Sequence, residues 1–127
     1  MDIKIRNLSK KDYKDLKKSM EQAYHGLVGD PWTKENITDL IDIFPEGQIA
    51  VEVNGKVVAC ALSIILNSRK TNIYDKYYAI IDDGKFDKHD SEGDTLYGIE
   101  VFVHPDFRSL RLGRRLYDQR KELCEQM

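Results

Sequence analysis

Apolar residues recur along this chain with a period of two in some stretches and near 3.6 in others. Ile3 and Ile5 alternate with Lys4 and Arg6, which predicts a strand over residues 3–8. Ser9 followed by Asp12 is a variant of the capping box and opens a helix. Tyr13, Leu16, Met20, Ala23, Tyr24 and Leu27 then recur at helical spacing, with Lys10, Lys11, Lys14, Lys17 and Lys18 crowding a solvated face. Gly26, Gly29 and Pro31 end that helix. Thr33 caps a second one, whose apolar side is Ile37, Leu40, Ile41 and Phe44, and Pro45 and Gly47 stop it. Two strand-like runs follow, residues 48–53 and 56–66. Asn54-Gly55 between them predicts a hairpin, because both positions of a type I′ turn need positive φ.

Residues 67–94 form a long connection that mixes a tyrosine-rich patch with an acidic, glycine-containing stretch; a short helix or strand is expected around residues 77–81. Connections of this length in small domains are disproportionately functional. A strand over residues 95–103 follows. Strict alternation puts Tyr97, Ile99, Val101 and Val103 on one face and Leu96, Gly98, Glu100 and Phe102 on the other. Pro105 ends it, and beyond Gly113 a helix runs to the last residue with Leu116, Tyr117, Leu123 and Cys124 as its apolar positions. This order predicts an α/β (α+β layered) domain with a mixed sheet and helices on both faces. No strand follows the last helix, so residues 1–127 are expected to be a single, incomplete domain with its C-terminal part missing.

Composition narrows the function classes. At 127 residues, 41% hydrophobic and 33% charged, the chain is globular rather than disordered. Twenty basic against 22 acidic residues leave a net charge of −2, so nothing global points to nucleic acid or membrane, and any basic site must be local. Cys60 and Cys124 belong to no CxxC pair and read as reduced thiols; the three histidines share no metal-binding spacing, and no metal is expected. No run approaches the roughly 20 apolar residues of a membrane span, and the N-terminus lacks an apolar leader, so the expected location is cytoplasmic.

The local basic site is the junction after the last strand, VHPDFRSLRLGRRLYD, residues 103–118. Arg108, Arg111, Arg114 and Arg115 surround Gly113 at the start of a helix. A helix N-terminus already carries about half a positive charge, so cations there repel it. A bound phosphate reverses the sign, because orphan N–H groups, dipole and guanidinium groups then act together. Gly113 would let the backbone come close to such an anion. The alternative is a surface cluster paired with Asp106, Asp118 or Glu122. The sequence is neither a Walker loop nor a GxGxxG turn.

These residues resemble the pyrophosphate loop of the GNAT N-acetyltransferase superfamily: Arg or Gln, two residues, Gly, one residue, then Gly or Ala, after a strand ending Val-x-Pro. Arg108 matches the first position and Gly113 the last, while Arg111 stands where the middle glycine is expected. More narrowly, residues 89–124 are similar to the GNAT-type domain fused ahead of carbon–nitrogen hydrolase (nitrilase-like) domains. The resemblance implies a GNAT-like fold and an acetyl-CoA-dependent N-acetyltransferase in which an amine attacks the thioester directly. It implies that acetyl-CoA is held by Val101, Phe102 and Val103 along the strand and by Arg108, Ser109, Leu110, Arg111, Leu112, Gly113 and Arg114 around the pyrophosphate. The acceptor is then a small-molecule or peptide amine, with neither nucleic acid nor membrane as partner.

Glu100, the sole carboxylate within residues 95–103, is the candidate base; a carboxylate paired with a nearby cation is the alternative. His89 and Asp90 are weighed as loop residues near the pocket or merely solvated, His104 as fitting its turn, His25 as a helix-end cation, and Tyr117 as a packing residue. An exposed edge on the strand 95–103 predicts a homodimer. The non-catalytic alternative is a CoA-sensing or association domain of a larger amidase or nitrilase-like protein.

Overall fold

A computed structural model describes residues 2–23 and 32–127. Tyr24 and Leu27 of the predicted helical line, the helix-end His25, and Gly26, Gly29 and Pro31, which are expected to end that helix, lie outside the described residues.

Strand β1 (Ile3–Asn7) leads into a capping box in which the Asp12 carboxylate accepts from the Ser9 N–H at 2.8 Å. One 3₁₀ turn, Lys10–Asp12, then opens α1 (Tyr13–Ala23). Thr33 caps α2 (Lys34–Ile43) reciprocally with Asn36, at 3.0 Å and 3.2 Å. Strands β2 (Ile49–Val53) and β3 (Lys56–Leu66) are joined through Asn54 and Gly55 at φ of 50° and 85°, the positive values a type I′ turn requires. The connection after β3 holds a short helix, α3 (Tyr77–Ile81), and a 3₁₀ turn at Asp82–Gly84. Strand β4 (Thr95–Val103) and helix α4 (Leu112–Gln126) complete the described elements.

The sheet order is β1-β2-β3-β4, and every pairing in it is antiparallel. The layered α/β class and the helices on both faces are as expected; the parallel pairing of a mixed sheet is not among these strands. Leu16, Met20, Ile37, Leu40 and Ile80 pack from α1, α2 and α3 onto one face, against Leu62, Ile64 and Leu66. Leu112 and Leu116 of α4 cover the other face, against Val51, Ala59 and Ala61. Buried between both layers, β3 reads as an almost unbroken apolar run.

Past the start of β2, the free side of β3 is completed by side chains. The buried Gln48 amide accepts from the Ser63 N–H at 3.0 Å and donates to the Ser63 carbonyl at 2.8 Å. Two residues on, His89 Nδ1 accepts from the Ile65 N–H at 3.0 Å, and the Asp90 N–H donates to the Ile65 carbonyl at 2.8 Å. The connection therefore acts as a surrogate strand at this end of the sheet.

Candidate active site

Strand β4 does not alternate strictly. Glu100 faces Leu62 and Gly98 faces Ser63, so Ile99 is an extra residue, and the ladder breaks there in a β-bulge. Tyr97 and Ile99 pack into the α1–α3 side of the core, and Phe102 joins them, whereas Val103 packs on the α4 side. Val101, opposite Ala61, is 43% exposed. The expected face of Tyr97, Ile99, Val101 and Val103 is thus split in two, because one inserted residue reverses the phase of a period-two pattern. Glu100, partly buried, shares a face with Phe102 but not with Gly98 or Leu96.

Side chains from both layers hold the bulge. From α3, the Tyr77 hydroxyl donates to the Ile99 carbonyl at 3.1 Å. Burial, and then the charge of Glu100, push the Tyr77 phenol up to about 12, so it keeps its proton at neutral pH. From α4, Arg120 Nη2 donates to the Leu62 carbonyl at 2.7 Å and to the Glu100 carbonyl at 2.9 Å. Neither residue stood out in the sequence. Tyr77 opens the short element expected around residues 77–81, where nothing marks its hydroxyl for a long-range bond; Arg120 continues the buried Leu112–Leu116 line by one more step of four, a signal that an arginine obscures.

Beyond β4, His104 Nδ1 accepts from the Asp106 N–H at 3.1 Å and caps a 3₁₀ helix, Pro105–Leu110, which bears out its place in the turn. Phe107 and Leu110 pack against the α4-side core. Arg111 then turns the chain at φ 56° and stands as the N-cap of α4, with no side chain capping that end. The N–H groups of Leu112, Gly113 and Arg114 at the start of the helix are therefore left without a side-chain acceptor, while the Arg115 N–H donates to the Arg111 carbonyl at 3.4 Å. Arg108, Ser109, Arg111, Arg114 and Arg115 are exposed; Leu112 is buried, so only its backbone is available to a ligand. Among the described residues none of the four arginines makes an ion pair, and Asp106 instead lies 3.9 Å from His104. The surface-cluster alternative lacks its partners. A Cβ built on Gly113 meets nothing within 4 Å, so the glycine is not required by packing.

The remaining candidates fall away from this site. His89 is stacked on Phe44 at 5.1 Å and bonded to β3, so it is a structural residue, neither solvated nor placed for catalysis. Tyr117 is 68% exposed and Cys124 is exposed, which corrects their reading as packing positions: α4 buries the line through Leu112 and Leu116, and they lie off it. A cavity of about 280 Å³ between β1 and the end of α4, lined by Ile5, Arg6, Asn7, Glu46, Gln119 and Leu123 among others, includes none of the predicted site residues.

Residues 13–127 match the acetyltransferase (GNAT) family. The chain is 32% identical over 123 residues to a probable hydrolase, YhcX, of Bacillus subtilis (strain 168), covering 97% of this chain and 24% of that protein. It is 24% identical to an uncharacterized N-acetyltransferase, YkwB, of the same organism, covering 95% of this chain and 54% of that one. It therefore spans about a quarter and about half of these two relatives. Among solved structures, the loading GNATL domain of CurA from Lyngbya majuscula superposes with a TM-score of 0.79 at 20% identity, over 100% of this chain and 60% of that one. The GphF GNAT-like decarboxylase, solved with isobutyryl-CoA, superposes with a TM-score of 0.71 at 15% identity, over 91% and 55%. Sequence and fold agree: the chain belongs to the acetyltransferase (GNAT) family.

Proposed function

We propose that residues 1–127 form the acyl-CoA-binding portion of an N-acetyltransferase that moves an acetyl group from acetyl-CoA to an amine. The observation that carries this reading is the junction from Arg108 to Arg115, where exposed arginines without ion pairs meet an uncapped helix N-terminus. Among the described residues, guanidinium groups without ion pairs, orphan N–H donors and open space over Gly113 suit a pyrophosphate. In this reading Arg108, Ser109, Leu110, Arg111, Leu112, Gly113 and Arg114 hold the pyrophosphate, and the backbone of Val101, Phe102 and Val103 lies along the pantetheine arm. The relative solved with isobutyryl-CoA supports an acyl-CoA as the donor.

Glu100 serves as the base. It takes a proton from the attacking amine, directly or through one water, as the N–C bond forms and the C–S bond breaks, and CoA leaves as the thiolate. The partly buried position of Glu100 next to the bulge keeps it close to the backbone assigned to the pantetheine. The acceptor is a small-molecule or peptide amine. Among the described residues no helix is long and apolar enough to cross a membrane, and we place the activity in the cytoplasm. Strand β4 has one neighbour in the described sheet, β3, so its outer edge is offered to a second copy. A concentration-independent monomer in sedimentation equilibrium would count against that dimer.

Calorimetric titration with acetyl-CoA tests the main reading. The wild type should bind, and Arg108→Ala, by loss of a charge-assisted contact, and Gly113→Asp, by a carboxylate set against the anion, should each weaken binding about tenfold or more. No binding at millimolar acetyl-CoA overturns the reading. Glu100→Gln should bind acetyl-CoA normally and lose transfer; if transfer persists unchanged, Glu100 is not the base.

A further inference from the structure

The break in the β3–β4 ladder leaves backbone carbonyls to be satisfied by something other than the facing strand. One nitrogen of Arg120 takes two of them, the carbonyls of Leu62 and Glu100, which face each other beside the extra residue Ile99. The sequence makes room for this guanidinium. A Cβ at Gly98 would lie 2.8 Å from Arg120 Nη1 and 3.1 Å from Cζ, so the absent side chain is the seat on which the arginine rests. The arrangement is costly. Arg120 makes no ion pair among the described residues, and its buried Nε has no hydrogen-bond partner. Leucine or methionine at position 120 would continue the buried Leu112–Leu116 line and remove both costs, but would leave the two carbonyls without this donor. The two carbonyl bonds offset this cost only in part, since Nε stays unpaired, and a local cost not fully offset points to a residue kept for function.

We propose that Arg120 is a positioning residue for acyl transfer. By gripping the carbonyls of Leu62 and Glu100 it fixes the bulge of β4, and with it the placement of Glu100 and of the Val101–Val103 backbone against the reacting thioester. Tyr77 holds the same bulge from the opposite layer through the Ile99 carbonyl. Arg120 touches no reacting atom; it acts through the strand. This role rests on the acyl-CoA reading given above.

The test compares wild type, Arg120→Met, Arg120→Lys, Gly98→Ala and the Gly98→Ala/Arg120→Met double variant. Thiol release from acetyl-CoA is followed with water alone and with a tetra-alanine peptide as probe acceptors, beside CoA titrations and thermal melts. Arg120→Met leaves the Leu62 and Glu100 carbonyls without that donor and should melt lower than wild type; at a temperature where both are folded it should lose about ten- to a hundredfold in kcat, the effect of a reacting group displaced by about 1 Å. KM for acetyl-CoA and CoA affinity should change far less than kcat, because the Arg108–Arg115 junction assigned to the pyrophosphate is untouched. Arg120→Lys, which keeps a donor, should recover part of kcat. Gly98→Ala displaces the guanidinium without removing the charge and should reproduce the kcat loss, and the double variant should be no worse than either single one. Gly98→Ala also decides the matter should Arg120→Met not fold. Unchanged kcat in both single variants, additive losses, or losses of kcat and CoA affinity that track a lowered melting temperature each overturn the role. A wild type that binds no CoA and releases no thiol removes the underlying reading and this role together; a wild type that does both, with variants equal to it, removes the role alone.

Discussion

Arg111 holds φ at 56°, a left-handed conformation that costs a residue with a Cβ about 1 kcal/mol and costs glycine nothing. The family pattern has glycine at this position, and the backbone shows why: the chain must turn left-handed between the 3₁₀ helix and α4. Arg111→Gly should therefore stabilise the fold by about 0.5–1 kcal/mol, seen as a higher urea midpoint, while weakening acetyl-CoA binding through loss of one guanidinium. A variant that binds as well as wild type would show that Arg111 contributes strain without grip. Gly113→Ala is the companion test. No atom stands within 4 Å of the new Cβ, and alanine is the better helix former by about 0.5–1 kcal/mol, so the variant should fold at least as well as wild type. Its binding should nonetheless fall if the pyrophosphate lies against the backbone there. Unaltered titration would place the anion elsewhere on the junction.

At the scale of elements, the connection carrying His89 joins the sheet through a neutral imidazole. His89 Nδ1 accepts from the Ile65 N–H, so the proton sits on the other nitrogen and a second proton breaks the bond. Burial lowers the His89 pKa, partly opposed by Asp90 and Glu46. The unfolded chain then binds the proton more readily than the folded one. Stability is full above the ordinary histidine value of about 6.5 and falls as pH drops below it, levelling off under the folded-state value. Urea midpoints at pH 7.5 and 5.5 should differ more for wild type than for His89→Gln, which keeps an acceptor without the titration; equal slopes would remove His89 as the cause. Gln48 does comparable work with no pH dependence. Gln48→Leu strands the Ser63 N–H and carbonyl in a buried site and should cost about 3 kcal/mol. The sequence made α1, α2 and the β2–β3 hairpin legible, since each is written in local periodicity and local caps. It concealed the bulge, because one inserted residue leaves an apolar run looking regular while reversing its faces. It concealed the strand-like part of residues 67–94 as well, because His89 and Asp90 act through Ile65, far back along the chain.

The whole molecule is one sheet with two unequal cores, and the candidate site spans both. Glu100 and Tyr77 belong to the layer built by α1, α2 and α3, while the arginine junction and Arg120 belong to α4. The junction was legible as chemistry, because charge was written where a helix disfavours it. Its attachment was not, since Phe107, Leu110, Leu112 and Leu116 lean on strands β2 and β3 at long range. This division makes a prediction that overall stability alone would not. Leu16→Ala and Leu116→Ala each empty a fully buried position and should each cost about 2–5 kcal/mol, read from urea unfolding. Only Leu116→Ala loosens the helix that presents the arginines, so at a temperature where both variants are folded it should weaken acetyl-CoA binding several-fold. Leu16→Ala, on the far side of the sheet, should leave that affinity near wild type. Equal losses in the two titrations would mean that the cores move as one body and that α4 gives the junction no separate support.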